Sequence, residues 1–253
     1  MASDKAELCT SIKAIMSKAF AMTLLSLLGL ACSTEPGSNH TFSVVKPKND
    51  ETTIAVIEVI NGTHIADHQW VERLTSPSTS LDVTVSRPAL LVAIWWGDGG
   101  IGTTHNAIPN NEFTVIDSLT TDASLIQCIV ATKSVTAGTH NVTWTSESGE
   151  GAQLWLIAVD EPKGGGTPVL GAHVLDWDVQ GRGGKLITTP RIKTNPSAGT
   201  GSTIIVAVAH GILSPPATPT DSEGNSFTQV GTGHTYTDWP KAGTEVWSAF
   251  PKQ

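Results

Sequence analysis

Cysteine is scarce in this chain: of three, Cys9 and Cys32 lie in or beside an N-terminal apolar run, which leaves Cys128 alone in the rest. That count excludes a disulfide framework. Charge is sparse too, with Asp, Glu, Lys and Arg at 15% of 253 residues and a formal net charge of -8. Binding a phosphate backbone draws on clustered Lys and Arg, so nucleic acid is disfavoured as a partner. No G-x-S-x-G elbow is present, and the eight histidines are scattered without a recognisable nucleophile or carboxylate partner. The expectation is therefore a protein that is not an enzyme and needs no cofactor. Past the first 31 residues no convincing helical period appears, and the composition argues against a coiled coil.

What the chain does contain is a duplication. Leu90-Leu91-Val92-Ala93-Ile94-Trp95-Trp96-Gly97 lines up without a gap with Ile204-Ile205-Val206-Ala207-Val208-Ala209-His210-Gly211, and Asn111-Glu112-Phe113-Thr114 with Asn225-Ser226-Phe227-Thr228. Apolar runs, a closing glycine and an Asn-x-Phe-Thr segment keep step together, as in a chain built from one module twice. Strand candidates in the first copy are Thr53 to Ile60, Leu81 to Val85, Leu90 to Trp96, Phe113 to Ile116, Leu125 to Ala131, Asn141 to Thr145 and Gln153 to Val159. Leu90 to Trp96 is apolar on both faces and should be central, whereas Leu81 to Val85 and Asn141 to Thr145 alternate as half-exposed strands do. Short strands with Gly, Pro and Asn between them predict an all-β protein of two tandem antiparallel β-sandwich domains.

The predicted organisation is a signal peptide over 1–31, of which 1–15 is read as an over-extended start, then a tether over 32–50 and a first sandwich over 51–161. A Gly/Pro linker over 162–168 and a second, truncated sandwich over 169–253 follow. The second copy is two strands short, because after Phe227 it reaches only Thr244 to Phe250 before Gln253. Two explanations are open: the chain is a fragment of a longer protein, or a strand exchanged from another chain completes the sandwich.

Lys18 precedes the apolar run Ala19 to Leu30, which is too short to span a bilayer and ends in small residues, as a secretory signal does. Leu28-Gly29-Leu30-Ala31-Cys32 resembles the lipobox of bacterial lipoproteins, with Gly29 where that family prefers Leu. The resemblance implies lipidation at Cys32 and an outer-membrane or cell-surface lipoprotein; the alternative is free secretion after ordinary signal cleavage. Asp221-Ser222-Glu223-Gly224-Asn225-Ser226-Phe227, following a Val/Ala-rich strand, resembles tandem β-sandwich modules, Ig-like or jelly-roll-like, of secreted and cell-surface bacterial proteins. Their pattern is an apolar strand followed by Asp-x-x-Gly-Asn-x-aromatic. The first copy departs from it, with Ala107 in place of the Asp and Asn110 in place of the Gly. This resemblance implies a sandwich fold and a surface role.

Candidate sites are few. Gly97 to Gly102 satisfies G-x-G-x-x-G, but a turn-rich stretch follows where a dinucleotide site requires a helix. His64 and His68 are read as loop histidines without a third metal ligand. Asp176, Asp178, Asp221 and Glu223 could offer oxygens to calcium, although turns use the same residues for backbone hydrogen bonds. Cys128 alternates with Ile126 and Val130, which places it on an apolar strand face as a small hydrophobe. Eight tryptophans accompany a single tyrosine. Trp95 or Trp96, Trp144 and Trp155 fall on strands and are read as core. Tyr236-Thr237-Asp238-Trp239 falls in an insertion relative to the first copy, so Tyr236, Asp238 and Trp239 become the candidate ligand-binding residues, with an apolar cap over the sandwich end as the other reading. The function expected is an exported, surface-anchored, non-enzymatic structural or adhesion protein whose partner is an extracellular glycan or protein. A carbohydrate-binding module using the loop aromatics is the alternative, and a secreted hydrolase is third.

Overall fold

A computed structural model describes residues 39–46, 50–98, 106–110, 112–120, 126–145, 151–161, 164–178, 186–194, 201–212 and 218–250. All of them lie in one compact unit, Gly37–Gln253. The architecture is all-β, with every strand pairing antiparallel. An N-terminal arm carries β1 (Asn39–His40), β2 (Phe42–Val45) and β3 (Thr52–Ile60). The first copy follows as β4 (His64–Arg73), β5 (Ser78–Thr79), β6 (Val83–Val85), β7 (Ala89–Asp98), β8 (Ile108–Pro109), β9 (Thr114–Leu119), β10 (Ile126–Val135), β11 (Gly138–His140), β12 (Thr143–Thr145) and β13 (Ala152–Asp160). The second supplies β14 (Val169–Asp178), β15 (Leu186–Thr188), β16 (Ile192–Lys193), β17 (Ser202–His210), β18 (Thr220–Asp221), β19 (Thr228–Gln229), β20 (His234–Thr235) and β21 (Gly243–Ala249).

Two large sheets form the centre. One has the order β4-β13-β7-β10-β9 and the other β14-β3-β17-β21-β19, with β20 also paired to β21. Their facing sides share a core of Ala55, Ile57, Leu90, Ile94, Trp96, Cys128, Trp155, Ile205 and Val246 among others. Each sheet buries its other face as well. On the first, Leu91, Trp95, Ile129 and Leu154 pack against Trp144 of β12, in the cover formed by β11-β6 and β5-β12-β8; on the second, Ile54, Val56, Val206 and Trp247 pack against Phe42 of β2, in the cover formed by β1-β16 and β15-β2-β18. β7 sits between β13 and β10 and is buried on both faces, which explains its unbroken apolar run. Val83 and Val85 are buried around an exposed Thr84, so β6 keeps the alternation read from sequence.

The two halves have one topology, but the second is assembled from two pieces of chain. β14, β17, β21 and β19 occupy the places of β4, β7, β10 and β9; the place of β13 is taken by β3, and those of β11 and β12 by β1 and β2. The strands missing from the second copy are thus supplied by the N-terminal arm of the same chain. This corrects two expectations. The segment 32–50 is not a tether throughout, because Phe42 and Val44 are fully buried in the second core, and the strand beginning at Thr52 belongs to the second sheet although it precedes the first copy. A strand borrowed from another chain is not needed at this position, since β3 pairs along its length with both β14 and β17. An equivalent bulge interrupts each edge pair, β4 against β13 and β14 against β3.

The ungapped alignment of Leu90–Gly97 with Ile204–Gly211 is one residue out of structural step. Leu91 faces the core inside its own sandwich, as Ile204 does, whereas Ile205 faces the shared core. A slip of one residue moves every side chain of a strand to the opposite face, and two runs apolar on both faces give sequence comparison nothing with which to detect it. Thr114 and Thr228 do correspond, pairing with Thr132 and Ser248.

Candidate functional site: the insertion loop clasped on β4

The inserted segment between β20 and β21 folds as a closed turn. Tyr236 N–H donates to the Ala242 carbonyl at 3.0 Å, and Ala242 N–H donates to the Trp239 carbonyl at 2.9 Å. Tyr236 points inward and is 2% exposed, while Trp239 is 51% exposed and Asp238 beside it is exposed as well. The trio therefore divides: Tyr236 is buried, and Asp238 and Trp239 reach solvent.

The loop is fastened to edge strand β4 of the other sheet. Along a strand, alternate residues share a face, which brings His68, Trp70 and Glu72 to one side of β4. The Glu72 carboxylate accepts from Thr237 N–H at 3.0 and 3.1 Å and from the Thr237 hydroxyl at 2.6 Å. His234 lies flat on Trp70, with ring centroids 3.9 Å apart and planes 5° apart, and 5.4 Å from Trp155. Trp155 Nε1 in turn donates to Thr244 Oγ1 at 2.8 Å. Burial, and after it the nearby His68, holds the His234 pKa below the ordinary histidine value, which favours the neutral form of the stacked imidazole. Sequence reading missed this cluster because His64 to His68 was placed in a loop. The segment is strand β4, and the spacing His68-x-Trp70-x-Glu72 was the available signal.

The two sheets meet at an opposite seam through a different pair. His173 Nδ1 on β14 lies 2.6 Å from Asp117 Oδ2 on β9. At the clasp the residue corresponding to Asp117 is Gly231, where a Cβ would come within 2.8 Å of the His68 ring. One seam is thus closed by a carboxylate on a histidine, the other by stacked aromatic rings.

The remaining candidates take structural places. His64 Nδ1 lies 2.8 Å from Asp160 Oδ1, and the second oxygen of that carboxylate is 3.1 Å from Arg87 Nε. Among the described residues no group of three His, Cys, Asp or Glu is placed to hold a metal. Asp178 pairs with Lys46 at 2.9 Å, and Asp176 accepts from Trp177 N–H. Asp221 accepts from Glu223 N–H and from both Asn225 donors, the capping of a tight turn. Cys128 is fully buried, and burial, with the Asp117 charge second, pushes its thiol well above the usual range; this is an inert core thiol. Trp95, Trp96, Trp144 and Trp155 are all core. Cys32, the signal segment and Gly99 to Gly102 lie outside the described residues. Comparison of this chain with protein-family models, with curated proteins and with solved structures finds no match.

Proposed function

We propose that the chain is an exported, surface-anchored, non-enzymatic structural or adhesion protein. The observation that carries this reading is the placement of Trp239, the only one of eight tryptophans that is exposed, at the tip of a loop fastened at Tyr236, Thr237 and Ala242. A loop whose backbone is already fixed loses little conformational entropy when a partner covers it, and exposed aromatics on such supports are the usual centres of binding surfaces. A body whose N-terminal arm is laced into its far sheet also suits a protein held from its N-terminus, because a pull on the arm is resisted by a central strand. Beads coated with the protein should adhere to a target cell surface, and Trp239→Ala should reduce adherence at least about tenfold, since losing a central aromatic anchor costs ~2 kcal/mol or more. Adherence unchanged by that substitution would remove Trp239 from the reading. The anchor is tested separately: Cys32→Ser should release an unacylated protein into the medium, and a wild type already unacylated and free would refute lipidation. A carbohydrate-binding module remains the alternative, favoured by the exposed Asp238, the sequence neighbour of Trp239, whose carboxylate accepts from sugar hydroxyls while the ring stacks on the pyranose face. Free oligosaccharide blocking bead adherence would select it.

A further inference from the structure

We infer that the first sandwich carries a groove for a neutral glycan, on a side of the molecule built from different residues than the insertion loop; this rests on the glycan alternative of the preceding section and moves its site. The groove has a volume of about 460 Å³ and is lined by Glu112, Phe113, Lys133, Thr139, His140 and Asn141. A second groove of about 280 Å³ shares Glu112 and Lys133 with it and continues past Thr114, Thr132 and Ser134 to Leu170 of the second sheet. The two grooves adjoin at Glu112 and Lys133, and Leu90 also lines the second.

Its chemistry is that of hydroxyl recognition. Lys133 Nζ lies 5.9 Å above the Phe113 ring and 3.6 Å from Glu112 Oε2, so a donor and an acceptor stand side by side with their charges offset. His140 Nε2 donates to the Thr136 carbonyl at 3.0 Å, which fixes the ring beside the groove. The Asn141 amide is oriented by donating to Asp82 Oδ1 at 2.8 Å. Paired donors and acceptors on planar or fixed side chains match the vicinal hydroxyls of a hexopyranose. A polyanionic glycan suits the site poorly, because Lys133, the one lysine among the described lining residues, is paired with Glu112 and the chain as a whole carries -8.

Two observations separate this groove from ordinary scaffold. Glu112 is held at φ 64°, a left-handed conformation that side chains other than glycine adopt with strain, and strained residues concentrate at functional positions. The second sandwich turns this corner differently: its left-handed residue is Gly224, at φ 73°, in a turn closed by Gly224 N–H to the Asp221 carbonyl, Ser226 stands at the place of Glu112 with no positive φ, and Ala249 stands at the place of Lys133. The charged pair is therefore present in the first copy and absent from the second.

The test is titration of the full chain with neutral hexose oligosaccharides and, in parallel, with uronate oligosaccharides, using wild type, Glu112→Gln, Lys133→Met and Trp239→Ala. Binding of a neutral oligosaccharide is expected. Each groove substitution should weaken it at least about tenfold while leaving the melting temperature in place, and Trp239→Ala should leave it unaltered. Neutral binding lost in Trp239→Ala but kept in the groove variants would overturn the groove and leave the glycan alternative standing at the loop. Preference for uronates would overturn the ligand class. Binding of neither would overturn the inference outright, while bead adherence would still judge the adhesion reading.

Discussion

Cutting the chain in the exposed linker at Gly164–Thr167 should leave the two pieces together. The reason is β3, which lies on the N-terminal side of the cut but fills the second sheet between β14 and β17, with Phe42 and Val44 of the same arm in the second core. Six large apolar side chains of that arm, Phe42, Val44, Ile54, Val56, Ile57 and Val59, are 0–1% exposed. At about 1.5–3 kcal/mol for each fully buried side chain, they contribute on the order of 9–18 kcal/mol of gross burial, which matches or exceeds the ~5–15 kcal/mol net stability of a whole domain. The second half is therefore expected not to fold without the arm. With a protease site placed in the linker, the nicked protein should elute as one species under native conditions and separate only in denaturant. Residues 167–253 expressed alone should give poorly dispersed NMR spectra and aggregate, and a peptide spanning residues 38–60 added in trans should restore dispersion. If the nicked halves elute apart, or if 167–253 alone melts sharply as a monomer, the laced architecture is wrong.

Trp144→Ala removes a fully buried ring from the first sandwich core and should cost about 3–5 kcal/mol in denaturant unfolding, whereas Trp239→Ala should stay within roughly 0.5 kcal/mol of wild type. Gly62, at the crossover from β3 to β4, is enclosed so that a Cβ would lie 2.6 Å from Val159 Cγ1 and 2.8 Å from Val59 Cγ1; Gly62→Ala should destabilise by about 1–3 kcal/mol, and a wild-type unfolding midpoint would contradict that packing. His234 has a folded-state pKa below its ordinary 6.5, so the unfolded chain binds its proton more readily. Its contribution is present above the unfolded value and is lost as pH falls through the folded one. Titration should show stability declining on that acid limb, and His234→Gln should flatten the decline; an unchanged slope would remove His234 as its source.

Much of this molecule can be read locally. Alternation in Val83–Val85, the two-faced apolar run of β7 and the turn residues between strands identify β elements, because burial on one face or two is written directly into neighbouring side chains. The burial of Trp144, Trp155 and Cys128 followed from their strand positions, and the duplication followed from Asn111–Thr114 and Asn225–Thr228. Pairing across long separations is a different matter. Nothing in Thr52–Ile60 announces that its partners are Val169–Asp178 and Ser202–His210 and not the strands beside it in sequence, because an apolar strand buried on both faces fits any central slot equally well. The correspondence of the arm with β11 to β13 survives mainly as apolar character, so the second sandwich looked unfinished when its last strands lay at the other end of the chain. The clasp has the same origin. His68, Trp70, Glu72, His234 and Thr237 come from two distant segments that carry no shared motif, and only the meeting of two sheet edges brings them together. Sequence by itself determined the kind of structure, through the side-chain period of two; tertiary structure decided which strand stands beside which, since that choice depends on completing hydrogen-bond ladders and cores that no local window contains.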